Sequence, residues 1–382
     1  MLFRAILVGL AVSLEIPAAS GAIGWSTETG WCKKHVLFPA AIIALAPTKV
    51  STSPFYVRMS DVPAGTRVRI VVTCRRLFST ATRRFTTKRP LKRLESQINV
   101  AWKFNRLDHI NQQIPVEVMY HVYVNGQRLG SHADVVDVHS INACPYFVYG
   151  KVHGKLVSAD LRCLFAGYVN ENAPVLDDIL KKALKTGAVK QFVGYQNSNP
   201  EQVIRQVYAI WLALAQQGIK YSNIANPLVD PSGIDYQHVR FVDQSFAAAQ
   251  ANCVDGSVLF ASLLEHIGID CGLVMKSGHM FLIFYAAPHD KVPVCLETTM
   301  IGSRSQINPQ IMNPLKGMFH WWEFRAHPFE AAVQYGDFEF NQLVAQQKKL
   351  AGTGNRVFWV IRIAAERKIG ILPIPDPNEG NR

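Results

Sequence analysis

One stretch of sequence decides the fold: Gln250-Ala251-Asn252-Cys253-Val254-Asp255-Gly256-Ser257. Apolar residues follow it and surround nearly the whole helical projection as far as Ile267, which is typical of a helix buried inside its domain. Gly268 is a natural helix end, and Asn252 is a good N-cap. The sequence therefore predicts a central helix that carries Cys253 at its N-terminal tip.

This position suits a nucleophilic cysteine. Unsatisfied backbone amides and the positive end of the helix dipole meet at the tip, and both favour the thiolate form over the thiol. The same amides can receive the oxyanion of a tetrahedral intermediate. Cys253 is therefore the candidate nucleophile.

A hairpin after the helix supplies a base. Its first predicted strand starts at His279, and its second, Val292 to Thr299, has Glu297 as its only charge. With the turn centred on Pro288, His279 and Glu297 face each other across the ladder. One ring nitrogen can then take the cysteine proton while the carboxylate holds the other nitrogen. The pattern predicts a triad of cysteine, histidine and glutamate.

The segment resembles the transglutaminase-like superfamily, in a bacterial exported branch. Three motifs carry the resemblance, namely Asn252–Ser257, Gly278-His279 and Leu296–Thr299. The similarity is clearest over residues 200–300 and extends over about 165–376. It implies a papain-like α+β domain in which a central helix packs on an antiparallel sheet.

The resemblance also implies a role for each member of the triad. Cys253 is then the nucleophile, His279 is the general base and later the general acid, and Glu297 replaces the family's aspartate. The family's Asp-Pro-Thr becomes Glu297-Thr298-Thr299, and its His-Ala-Trp becomes His279-Met280-Phe281. These departures leave the substrate preference open.

The second oxyanion donor is also open. Family members often use an aromatic residue or a glutamine that precedes the cysteine. Three residues of this chain are candidates for that donor: Tyr221, Gln244 and Gln250.

The 382 residues are enough for two domains, and the predicted class is α+β. Strand signals dominate residues 23–160. For example, Val116–Val124 is rich in β-branched and aromatic residues and ends at the hairpin dipeptide Asn125-Gly126. We predict an antiparallel β-sandwich or barrel there, followed over residues 161–382 by the transglutaminase-like catalytic domain.

Helical spacing dominates the second domain. It predicts helices over Pro174–Leu184, from Asn199-Pro200 to a position before Gly218, and over Phe329–Lys349. A buried strand is predicted over Val357–Ile363. In the first domain, the short apolar run Val36–Pro47 is predicted to be a buried strand or loop.

Residues 1–22 have the features of an export signal. Arg4 precedes the apolar run Ala5–Leu14, and small residues lead to a cleavage site after Ala22. The protein is therefore predicted to be exported, to the periplasm or the cell exterior, with no spanning segment in the mature chain. The seven cysteines are an odd number, so at least one thiol stays unpaired, and the pairing of the others is open.

The net charge of +12 is concentrated in one stretch. Eight basic residues and no acid lie between positions 75 and 93: Arg75, Arg76, Arg83, Arg84, Lys88, Arg89, Lys92 and Arg93. This stretch is either a solvated loop or a contact for an acidic envelope polymer. Phe78 and Phe85 are its only aromatic residues, so the stacking platform of a nucleic-acid binder is missing and nucleic acid is not favoured.

The sequence lacks several motifs of metal- and cofactor-dependent enzymes, which narrows the reactions that it predicts. The sequence contains no Cys-x-x-Cys pair, His-Glu-x-x-His, phosphate-binding glycine loop, Gly-x-Ser-x-Gly or calcium-binding loop, so no metal or cofactor is predicted. The leading hypothesis is a cysteine-dependent acyl-transfer enzyme that acts on peptide, protein or cell-wall amides as a peptidase, amidase or transglutaminase. The alternative is an exported envelope-binding or scaffold protein whose triad is an inactive remnant.

Overall fold

The structure is a computed structural model, and it describes residues 23–30, 35–48, 53–152, 155–196, 199–222, 228–230, 233–302 and 327–375. The predicted export signal, residues 1–22, lies outside the described residues. Helices and strands occur in similar proportion, so the class is α+β, as predicted. Among the helices of these ranges, none has both the length and the apolar character of a membrane span.

The chain divides into two compact units. The first contains the residues up to Leu161 together with Leu228–Tyr236, and the second contains the remainder. Residues 228–236, which we predicted to lie in the second domain, therefore belong to the first unit. The reason is backbone pairing, since the Tyr149 N–H donates a hydrogen bond to the Gly233 carbonyl at 2.9 Å.

The first 161 residues supply strands and two short helices. In chain order these elements are β1 (Gly24–Thr29), β2 (Val36–Leu37), α1 (Pro39–Leu45), β3 (Phe55–Val62), β4 (Arg67–Thr73), β5 (Ala81–Thr86), β6 (Leu91–Gln97), α2 (Phe104–Leu107), β7 (Ile114–Val124), β8 (Gln127–Val138), β9 (Ala143–Val152) and β10 (Lys155–Asp160).

Two sheets share the core of the first unit. One has the strand order β1-β3-β6 and the other β2-β8-β7-β4-β5. The hydroxyl groups of Thr29 and Tyr120 form a buried hydrogen bond between them. The sheets approach so closely that a Cβ on Gly130 would lie 2.5 Å from the Trp25 ring. Unlike the predicted antiparallel arrangement, β2 runs parallel to β8.

Two local predictions in this unit were wrong. The basic stretch 75–93 is not a solvated loop, because it contains β5 and the first residues of β6, which lie in different sheets. Because β5 is an edge strand, its arginines can project into solvent without disturbing the core. The run Val36–Pro47 is a two-residue strand followed by the buried helix α1, which has Pro39 in its first turn, where proline is tolerated.

The remaining elements follow in chain order. They are α3 (Val175–Lys185), α4 (Pro200–Gln216), β11 (Lys220–Tyr221), β12 (Leu228–Asp230), β13 (Ile234–His238), α5 (Val242–Ala248), β14 (Gln250–Ala251), α6 (Cys253–His266), β15 (Cys271–Lys276), β16 (His279–Phe284), β17 (Val294–Leu296), α7 (His327–Lys349), β18 (Phe358–Arg362) and α8 (Ile363–Lys368).

The central helix α6 organises the second unit. Every residue from Val254 to Leu264 is buried, as the apolar pattern predicted. The helix packs against β15 and β16 of an antiparallel sheet with the order β17-β16-β15-β18. The predicted helices are confirmed as α3, α4 and α7. The predicted buried strand is the edge strand β18, which is mostly half-buried because it has a neighbour on one side only.

Candidate functional site

Cys253 is the first residue of α6, and it is partly buried. The Asn252 Oδ1 accepts hydrogen bonds from the N–H groups of Val254 and Asp255, each at 2.8 Å. The Asp255 carboxylate accepts one in return from the Asn252 N–H at 3.3 Å, which completes a capping box. This cap fixes the residue at which the helix begins, and therefore the position of the sulfur.

The same cap uses amides that we expected to receive an oxyanion. The N–H groups of Val254 and Asp255 donate to the Asn252 side chain, and the Gly256 N–H donates to the Asn252 carbonyl at 2.9 Å. Within the described part of the chain, the Cys253 N–H is the one amide of this first turn that has no acceptor. The helix tip therefore offers one backbone donor to an oxyanion, fewer than the sequence suggested.

His279 begins β16 after a tight turn through Gly278, whose φ of +71° is natural for glycine. Its Nε2 lies 2.7 Å from the Glu297 Oε2. The negative charge of the Cys253 sulfur also acts on this ring, because it raises the pKa of His279. Because Nε2 is occupied by the carboxylate, Nδ1 is the nitrogen left for the sulfur. The structure thus brings the three predicted residues together.

The environment of His279 favours its protonated form. Burial by itself lowers the pKa of this histidine, but hydrogen bonds with Cys253 and Glu297, together with their negative charges, outweigh burial and raise the pKa to about 10. At neutral pH the ring is therefore an imidazolium. It loses its proton as the pH rises through about 10.

Glu297 contacts His279 from a position just after β17, not from the predicted position within the ladder. The ladder pairs Leu282 with Leu296, two residues away from the register centred on Pro288. Glu297 therefore follows β17 and caps a short 3-10 helix, Thr298–Met300. A shift by two residues keeps every side chain on its face of the sheet. The contact with His279 is thus present although the predicted register was wrong.

Thr299 holds the second oxygen of Glu297. The Oε1 accepts hydrogen bonds from the Thr299 N–H at 3.0 Å and from its hydroxyl at 2.6 Å. The glutamate side chain is only 2% exposed, so these bonds fix the direction of Oε2. The sequence analysis missed this residue, although an acid two positions before a threonine is a common local hydrogen-bonding pattern.

Tyr221 lies at the site. Strand β11, which ends at Tyr221, pairs in parallel with β14, the strand that leads into Cys253. Burial raises the pKa of Tyr221, and the negative charges of Cys253 and Glu297 raise it further. The charges of both groups thus act on its hydroxyl, which stays a candidate oxyanion donor.

The other two oxyanion candidates lie in α5 and β14. Gln244 lies in the first turn of α5, where its Oε1 accepts a hydrogen bond from the Phe241 N–H at 3.1 Å. Gln250 is an exposed residue of β14. Of the three candidates, Tyr221 is the one whose pKa the charges of Cys253 and Glu297 raise.

The environment of Cys253 differs from that of other thiols. Cys74, Cys271 and Cys295 are free and buried, and burial raises the pKa of each of them. Cys253 is free and partly buried, and its charge raises the pKa of His279. A thiol reagent should therefore discriminate Cys253 from the three buried thiols.

Three groups at the site are of the kinds that bind metal ions. His279, Glu297 and Glu339 have ligand atoms that all lie within 4.8 Å of one another. Ligands of a tetrahedral zinc ion are each about 2.0 Å from the metal and hence roughly 3.3 Å apart. The Nε2–Oε2 distance of 2.7 Å fits a shared proton instead, so we assign a hydrogen bond and propose no ion.

Comparison with models of known protein families gives no match for this chain, and no curated protein matches it. The function must therefore be argued from the geometry of the site.

Proposed function

We propose that this protein is a cysteine-dependent acyl-transfer enzyme of transglutaminase-like type, exported and acting on amide bonds. One observation carries the proposal: the imidazole of His279 is hydrogen-bonded to Glu297 at 2.7 Å, and the charge of the Cys253 sulfur raises the pKa of the same ring. A thiol, an imidazole and a carboxylate in this sequence of contacts form the arrangement that activates a sulfur nucleophile. The raised pKa of the histidine supports it, because strongly perturbed values concentrate at functional sites.

The reaction follows from the contacts. The Cys253 thiolate adds to the carbonyl carbon, and the Cys253 N–H and the Tyr221 hydroxyl donate hydrogen bonds to the resulting oxyanion. Collapse of this intermediate breaks the carbon–nitrogen bond, and the leaving amine takes the Nδ1 proton of His279. A thioester remains. Water or an amine then gives a proton to His279 and attacks the thioester, and the carbon–sulfur bond breaks to restore the thiolate.

Capture of the thioester tests this proposal directly. The protein is incubated with a panel of peptide, protein and cell-wall amides, quenched in acid and analysed by intact-protein mass spectrometry. We expect an added mass equal to the acyl group, localised to Cys253 by peptide mapping. A folded protein that acquires no acyl group from any of these amides, and whose Cys253 also alkylates slowly, would contradict the proposal.

Glu297→Gln is expected to slow acyl transfer without abolishing it. The amide oxygen of glutamine can still accept a hydrogen bond from the imidazole, but the negative charge that stabilises the imidazolium is lost. We expect kcat/KM to fall roughly 10²- to 10⁴-fold, with residual activity above that of a variant lacking the nucleophile. Steady-state kinetics on the captured amide measures this effect.

Glu95→Gln is the matched control for this substitution. Glu95 is an exposed partner of Arg58 in the first unit, and we expect its substitution to leave kcat/KM unchanged. Full activity of the Glu297→Gln enzyme would remove Glu297 from the site.

A second candidate function concerns the first unit, where we propose a contact for an anionic polysaccharide. The supporting observation is a row of side chains on the outer face of its five-stranded sheet. Arg84 of β5 lies directly opposite Arg69 of β4. Arg69 lies opposite Tyr123 of β7, and Tyr123 lies opposite Arg128 of β8. The Arg69 guanidinium stands 3.7 Å from the centre of the Tyr123 ring. This arginine row thus spans four neighbouring strands.

The charge of the arginine row is uncompensated. None of its three arginines forms an ion pair with a carboxylate of a described residue. Like charges directly opposite each other destabilise a sheet. An extended polyanion lying across the strands would neutralise them, and guanidinium groups bind carboxylate and sulfate groups in a bidentate manner. A single tyrosine gives no stacking platform for nucleic-acid bases, so a polysaccharide fits better than nucleic acid.

A double substitution tests the arginine row. Arg69→Gln with Arg84→Gln should lower the salt concentration at which the protein elutes from immobilised polygalacturonate. Lys92→Gln with Arg93→Gln removes the same charge from β6, in the other sheet, and should change elution much less. Equal shifts in the two double variants would mean that only net charge matters, and absence of binding by the unsubstituted protein would also refute the proposal.

A further inference from the structure

A second carboxylate lies beside the catalytic imidazole. Glu339, in the long helix α7, places its Oε2 4.0 Å from the His279 Nε2, which already donates to Glu297 at 2.7 Å. The Glu339 side chain is only 15% exposed. A negative charge at this distance in such surroundings interacts appreciably with the imidazolium.

The two oxygens of Glu339 have different environments. The Oε1 accepts a hydrogen bond from the Lys276 Nζ, at the end of β15. The Oε2 is buried and has no hydrogen-bond partner among the described residues. Because a buried acceptor without a partner is costly, its presence calls for an explanation. The explanation offered by the geometry is the positive charge of the neighbouring ring.

We propose that Glu339 is a positioning residue for acyl transfer: held by Lys276, its unpartnered oxygen stabilises the imidazolium of His279. The inference rests on the proposed function and adds to it. Glu297 fixes the ring through a direct hydrogen bond, whereas Glu339 acts on the same ring through its charge. Lys276 weakens the effect of Glu339 on the ring, because it forms an ion pair with the same carboxylate.

The charged and titratable groups around His279 come from every element packed against it. They are Cys253 of α6, Glu297 before the 3-10 helix, Glu339 of α7, Lys276 of β15 and, near the sulfur and Glu297, Tyr221 of β11. Lys276 is the only cation of this set apart from the imidazolium itself. Substitution of Lys276 and of Glu339 should therefore change the proton affinity of His279 in opposite directions.

Glu339→Gln removes a negative charge, so His279 should lose its proton at lower pH. We expect the alkaline limb of the pH profile of kcat/KM to move down by about one pH unit. Lys276→Met removes the opposing positive charge. Carboxyl groups are ionised at about pH 8 to 10, so the negative charge of Glu339 then acts on His279 without opposition, and the alkaline limb should move up by about half a pH unit. Glu330→Gln is the matched control, because Glu330 lies about two and a half turns earlier on α7 and so on its other side.

Titration of the His279 ring by NMR gives a readout that does not depend on turnover. Its resonance is identified by its absence in His279→Ala. Opposite shifts of this titration in Glu339→Gln and Lys276→Met, with melting temperatures close to that of the unsubstituted protein, would support the inference. Shifts in the same direction, or none, would refute it, as would a loss of melting temperature with an unchanged titration.

The NMR titration also separates this inference from the proposed function. If the unsubstituted protein forms no thioester but the two variants shift His279 in opposite directions, the function fails while the electrostatic role of Glu339 stands. If the thioester forms and the titration does not move, the role of Glu339 fails while the function stands.

Discussion

Cys253→Ala is expected to abolish turnover and to leave the fold intact. The substitution removes the only atom that can form the thioester, and loss of a nucleophile costs on the order of 10⁴-fold or more in kcat. Alanine is acceptable at the first position of a helix, and the Asn252 cap does not involve the cysteine side chain. Steady-state kinetics on a captured substrate measures the loss of turnover, and thermal unfolding tests whether the fold is intact.

Cys74→Ala controls for the general effect of losing a thiol. Cys74 is a buried free thiol of the first unit, so this variant should keep full kcat even if it unfolds at a lower temperature. If Cys253→Ala instead lowers the melting temperature strongly, or keeps activity, then Cys253 is a packing residue and the proposed function fails.

His279→Ala is expected to remove the reactivity of Cys253 toward alkylating reagents at pH 6. The proposed function requires the imidazolium to stabilise the thiolate, so it predicts fast alkylation at pH 6. An ordinary cysteine, with a pKa of about 8.5, is ionised to roughly 0.3% at pH 6, so we expect a decrease on the order of 100-fold. The rate constant for iodoacetamide modification, measured from pH 5 to 10, tests this.

The pH dependence of the alkylation rate shows the direction in which His279 acts on Cys253. Because the pKa of His279 is raised to about 10, the stabilising imidazolium is present below that pH and is lost as the pH rises through it. The rates of the two proteins should therefore converge at high pH, where an ordinary thiol is ionised as well. His266→Ala, at the other end of α6, should behave like the unsubstituted protein. Slow alkylation of both proteins at pH 6 would favour the inactive-remnant alternative.

Features that depend on local sequence could be predicted. The apolar run after Asn252 requires burial of α6 on all sides, and the cap residue fixes its first turn. The Asn199-Pro200 pair likewise starts α4, with the Asn199 side chain accepting a hydrogen bond from the Glu201 N–H. In each case neighbouring residues determine the structure. The helix, its tip and therefore the candidate nucleophile could be read from the chain.

Features that depend on distant partners could not be predicted. The hairpin register was wrong by two residues, because the turn that sets it carries no glycine pair that would fix its length. Glu339 lies on a helix more than forty residues after Glu297, and its polar side chain resembles that of any surface helix. Only the packing of α7 beside β17 brings it to the imidazole.

The strand β13 has a practical consequence for any attempt to isolate the second unit of this protein. A fragment that begins at Arg162 would keep β12 and β13 but lose β9, the strand that β13 joins. Exposed strand edges pair with other chains, so such a fragment should aggregate even if the core of the second unit is intact. A soluble form of the second unit would need residues 228–236 replaced by a short linker, so the experiments proposed above use the chain with both units.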